Sequence, residues 1–79
     1  MNALEKLGYK KNDSYHYPPF EKYEKTLGEN NYYTINIYKN KAVKTEYSLG
    51  GYYGCSGTHE PAGITFEEMR AILEMKGEL

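Results

Sequence analysis

Cys55, His59 and Glu60 set a thiol, an imidazole and a carboxylate within six residues of one another, the densest group of reactive side chains in the chain. Such a group suggests either a metal site or a thiol nucleophile with a basic partner. A structural zinc ion wants four ligands, usually in paired spacing, and this chain has one cysteine and two histidines, the second being the distant His16. A Cys-His enzyme also needs a third group to orient the base and an oxyanion hole, and no motif signals either. Cys55 therefore reads as a small, half-buried side chain. The expectation is a non-enzymatic protein without catalytic residues, metal or cofactor.

Gly50, Gly51, Gly54 and Gly57 surround this group, and glycine-rich loops let backbone amides approach a phosphate. The flanking sequence does not fit the known fingerprints. No Lys-Ser or Lys-Thr pair follows, and Pro61, Ala62 and Gly63 separate the loop from the next helix, so neither a P-loop nor a dinucleotide fingerprint is present. Small-ligand or nucleotide sequestration stands as an alternative, with a flexible connector as the ordinary explanation.

Lys39, Lys41 and Lys44, together with Tyr32 and Tyr38, resemble in miniature a sheet that stacks bases and holds phosphates. Charge weighs against this use. Ten basic residues against eleven acidic ones give a net charge of -1, which creates no global field to attract nucleic acid. Single-stranded nucleic-acid binding is the second alternative, and a solvated hairpin with edge-protecting lysines is the commoner reason for such a pattern.

Tyr52, Tyr53, Ser56 and Thr58, interleaved with glycine, are the residue types that antibody paratopes employ. Tyrosine supplies contact area at low entropic cost, while Gly and Ser adapt the backbone. The whole chain carries ten tyrosines against two phenylalanines and no tryptophan, so many rings must sit covered with their hydroxyls exposed. The leading expectation is a partner-binding surface of Tyr52, Tyr53, Ser56, Thr58 and His59, extended by Tyr32 and Tyr38 of the neighbouring sheet. The partner is a protein, a second copy of the chain included.

These side chains need a scaffold, and 79 residues suffice for one domain with a thin stability margin. A single cysteine excludes an internal disulfide framework, which leaves self-association as the staple for a small core. A lone thiol and the absence of an apolar span or leader suggest a cytosolic protein without membrane contact.

Residues 2 to 7 fit a short helical turn capped by Asn2 and ended by Gly8. Tyr9 and Lys10 can begin an edge strand, and Asn12 to Pro19 read as a loop. Phe20 to Leu27 read as a strand. Tyr32 to Tyr38 carry the strongest strand pattern, with Tyr33, Ile35 and Ile37 on the core face, and pair with 43 to 49 as a hairpin. Residues 50 to 63 read as one long connection. Thr65 and Glu68 form a capping box for a C-terminal helix, whose stripe of Phe66, Met69, Ile72 and Leu73 is expected to lie on Ile35 and Ile37. The predicted fold is α+β, a three- or four-stranded antiparallel sheet with a short N-terminal helix and a C-terminal helix on one face.

The Leu-Glu-Lys-Leu-Gly-Tyr opening, the Tyr-Glu-Lys strand, the charged hairpin and the Ile-Thr-Phe-Glu-Glu-Met-Arg-Ala-Ile helix resemble small accessory proteins encoded by phages and prophages of low-GC Gram-positive bacteria. That resemblance implies a genomic setting rather than a mechanism. Some proteins of this build inhibit host defence systems, CRISPR nucleases included, by covering a working surface. It therefore implies a host protein as partner, met in the host cytoplasm.

Overall fold

The computed structural model describes residues 1–12, 20–49 and 58–79. The chain forms α1 (Ala3–Lys6), β1 (Lys10–Lys11), β2 (Phe20–Gly28), β3 (Asn31–Tyr38), β4 (Val43–Leu49), β5 (Thr58–Pro61) and α2 (Phe66–Met75). Among the described residues the five strands make one antiparallel meander in the order β1-β2-β3-β4-β5. The α+β class expected from the sequence is the class observed. The sheet gains a fifth strand because part of the expected connection 50–63 pairs along β4, with Tyr47 opposite Glu60 and Glu46 opposite Pro61.

Local sequence sets both helix boundaries. The Asn2 side chain accepts from the Glu5 amide while Glu5 reaches back to the Asn2 amide, each at 2.9 Å. Thr65 and Glu68 repeat this capping box on α2, at 3.1 and 2.9 Å. At the other ends, Tyr9 N–H donates to Leu4 O and Gly8 N–H to Glu5 O, and Glu78 N–H donates to Leu73 O and Gly77 N–H to Glu74 O. These are Schellman closures, which require left-handed backbone at Gly8 (φ 99°) and Gly77 (φ 70°).

Alternation along β3 turns Tyr33, Ile35 and Ile37 to one face, where Ile35 lies opposite Tyr23 on β2 and Thr45 on β4. Leu4, Tyr9, Tyr23, Ile35, Ile37, Ala71 and Ile72 form the buried cluster between this face and the two helices. Both sheet edges are blunted. β1 is a pair of lysines, and β5 ends in a proline that has no amide to offer.

The β3–β4 turn contains a residue under strain. Lys41 N–H donates to Tyr38 O at 3.0 Å and Tyr38 N–H to Ala42 O at 2.8 Å, a closure that places Lys41 at φ 71°. Glycine is the usual occupant of that left-handed position.

Candidate protein-binding face

The rotation of α2 about its own axis decides which side chains this molecule presents. Its inward arc is Glu68, Ala71, Ile72 and Met75, with Ala71 and Ile72 buried. Glu68 belongs there because the Tyr9 hydroxyl, at the end of α1, donates to its carboxylate. The expected stripe is therefore corrected. Ile72 joins the core, whereas Phe66 is 92% exposed, Met69 45% and Leu73 37%. Residues at i, i+3 and i+7 share one side of a helix, so these three form a continuous apolar line on the open flank of α2.

Beside that line runs a groove of about 840 Å³. Met69, Ile72 and Leu73 make one wall, Ile37 and Val43 the other, and Ala62 and Ile64 also line it. Val43 is itself 41% exposed. The groove ends at the β3–β4 turn among Lys39, Lys41 and Lys76. Lys41 is ion-paired with Glu78 at 2.7 Å and Lys76 with Glu21 at 2.6 Å, while Lys39 stands exposed beside them. Leaving one phenylalanine in water forgoes roughly 1.5–3 kcal/mol that burial would supply, a large sum for a chain this small.

The other end of α2 carries a polar cluster. Lys25 lies over the Tyr9 ring, 5.5 Å from its centre, and joins Glu68 and Tyr33 around a cleft of about 390 Å³. Tyr33 donates to the Tyr47 hydroxyl at 2.6 Å, their rings 4.2 Å apart. Burial, reinforced by the hydrogen bond to Glu68, pushes the Tyr9 hydroxyl above its ordinary value. Burial also pushes the Glu68 carboxyl up, but hydrogen bonds from Thr65 and Tyr9 and the charge of Lys25 outweigh it and leave the group lowered. Glu68 thus stays ionised and Tyr9 protonated through the neutral range, so the pair holds α2 in place and exchanges no proton there.

The opposite face of the sheet carries the tyrosines singled out from the sequence. Tyr32 and Tyr38, both half-buried, stand at the two ends of β3 with Thr34 and Asn36 buried between them. Among the described residues Asn36 Oδ1 is buried without a hydrogen-bond donor, and Lys22 and Lys44 flank it in register. The register also aligns Tyr32, Ser48 and His59 in one cross-strand row. Thr58 and His59 enter as the backbone of β5, and Tyr52, Tyr53 and Ser56, with Cys55, lie outside the described residues.

The three lysines of the nucleic-acid alternative do not form one patch. Lys39 and Lys41 sit in the turn, whereas Lys44 projects from the far face and pairs with Glu46 at 2.9 Å. Hydrogen bonding and charge from Glu78 raise Lys41, and the same two effects from Glu46 raise Lys44. Two of the three cations lie beside carboxylates on the surface.

Sequence reasoning missed Phe66, Met69, Leu73 and Val43 as surface residues, because an apolar stripe beside a capping box reads as core. The inward place of Glu68 depends on Tyr9, far away in the chain. Among the described residues no three His, Cys, Asp or Glu side chains gather as a metal site requires, and no helix is long and apolar enough to cross a membrane. No protein-family profile, curated protein or solved structure matches this chain.

Proposed function

We propose that this protein is a non-enzymatic protein-binding module whose working surface is the open flank of α2 together with the adjoining groove. One observation carries this: Phe66 is 92% exposed at the end of an apolar line that leads into an apolar groove. Exposed apolar side chains scattered singly need no explanation, whereas contiguous ones beside a concave surface mark interaction sites. Aromatic side chains are the commonest anchors of protein interfaces. In the setting that the resemblance to phage accessory proteins implies, the action is steric, the module covering the working surface of a host factor such as a defence component.

Affinity capture tests this with three immobilised chains: wild type, a Phe66→Glu, Leu73→Glu variant, and a Tyr32→Ala, Tyr38→Ala variant. The helix variant should lose the proteins that wild type retains, while the sheet variant keeps them. Equal recovery by wild type and the helix variant would sink the assignment of this face.

A further inference from the structure

We infer that a second copy of this chain fills the groove, through a twofold contact that sets the two α2 helices antiparallel. The inference rests on the docking face assigned above and names its occupant in the free protein, so that pairing and capture of another protein compete for one face.

A twofold interface must be self-complementary, each patch meeting its own copy in reverse. The α2 face meets that requirement in shape. Its projecting element, Phe66, is at the N-terminal end of the helix. Its concave element runs along the helix from Ile64 to Lys76, and Leu73 and Val43 wall its far end beside the β3–β4 turn. A twofold axis crossing near Met69 brings each Phe66 to the mouth of the partner's groove. An exposed phenylalanine presents on the order of 200 Å². That is about a quarter of the roughly 800 Å² each partner contributes to a standard interface. Met69, Leu73 and Val43 extend the contact around that anchor.

Two exposed charges of opposite sign stand at opposite ends of this face. Lys39 is exposed at the turn that closes the groove. Glu60, also exposed, lies opposite Tyr47 on the helix-bearing face, four positions along β4 from Val43. At the usual rise per residue Val43, next to the turn, and Tyr47, beside Glu60, are about 14 Å apart along the strand. Antiparallel pairing directs each Glu60 toward the partner's Lys39, an attraction that a parallel arrangement lacks. The blunted sheet edges disfavour the other common route to a dimer, strand addition. The small core supplies the motive. Among the described residues, seven apolar or aromatic side chains are buried, one of them an alanine, and eight large apolar ones are exposed, so burying Phe66 and its neighbours adds a substantial share of core.

Sedimentation equilibrium of the purified full chain, from about 1 μM to about 1 mM, covers the range of weak dimers. Wild type should pass from monomer to dimer. Phe66→Ala, with an unchanged circular dichroism spectrum, should raise the dissociation constant at least about tenfold, as loss of an interface anchor does. Lys39→Glu and Glu60→Lys should each weaken pairing alone, since each places like charges together. An equimolar mixture of the two should restore it, because each chain then offers what the other lacks. A monomer throughout, a dimer indifferent to Phe66→Ala, or a mixture no stronger than its components overturns the inference. A monomeric wild type whose Phe66→Glu, Leu73→Glu variant still loses captured proteins overturns self-pairing alone. If capture is also unchanged, the docking face falls with it.

Discussion

Tyr9 and Glu68, 59 positions apart, are joined by a hydrogen bond from phenol to carboxylate that ties the closure of α1 to the capping box of α2. This contact fixes the rotation of α2, and with it the choice of side chains that face the core or the solvent. Replacing Tyr9 by Phe keeps the ring in the core and removes the donor. Hydrogen bonds to charged groups contribute about 1.5–3 kcal/mol, and 1 kcal/mol moves the melting temperature of a domain this size by roughly 4–8 °C. Thermal melts of Tyr9→Phe should fall by that amount or more. A melting temperature equal to wild type would show that the bond contributes nothing.

The same pair shapes stability against pH. Glu68 is held below its ordinary 4.5, so its contribution is present above about that pH and is lost as pH falls through the lower folded value. Tyr9 is raised above 10.0, so its contribution is complete below that pH and is lost as pH rises beyond it. Melting temperatures measured from pH 3 to 11 should decline at both ends, and Tyr9→Phe should flatten both declines. A variant that follows the wild-type profile in parallel would place the linkage elsewhere.

Lys41 occupies a left-handed backbone position at φ 71°. Residues with a Cβ lose roughly 1–2 kcal/mol there relative to glycine. Its exposed ion pair with Glu78 offsets little of that cost. Lys41→Gly should raise the melting temperature by several degrees, read from the same thermal melts, and a fall would mean that the ion pair outweighs the backbone.

Asn36 is 8% exposed, and its Oδ1 has no donor among the described residues. An unsatisfied buried acceptor costs on the order of 1–3 kcal/mol. A β-branched residue suits the central strand better. Asn36→Val should stabilise the fold in urea denaturation at unchanged m-value. Destabilisation would mean that the amide has a role in the folded state beyond filling space.

Much of this architecture can be read from short stretches of sequence. Asn2, and Thr65 with Glu68, announce the helix starts, Gly8 the end of α1, and the alternation Tyr33, Ile35, Ile37 the core face, whereas the return of Glu5 to the Asn2 amide shows only in the structure. β5 could not be read that way. Thr-His-Glu-Pro has no apolar alternation, and its strand character comes from the neighbouring edge of β4. The rotation of α2 was also hidden. The arcs Phe66, Met69, Ile72, Leu73 and Glu68, Ala71, Ile72, Met75 overlap at Ile72 and differ by less than half a helical turn, and helical periodicity favours the more apolar one. The decision rests on a partner for Glu68 supplied from the other end of the chain, which no local pattern encodes.

The functional reading depends on Phe66 lying outside the monomer's core while Ile72 lies inside it. Urea denaturation of Phe66→Glu and Ile72→Glu at sub-micromolar concentration, where pairing is absent, measures that difference directly. Phe66→Glu should keep wild-type stability to within about 0.5 kcal/mol, as surface substitutions do, and Ile72→Glu should unfold the chain. Unfolding by Phe66→Glu would place the ring in the core, and the open face with its groove would no longer exist as described.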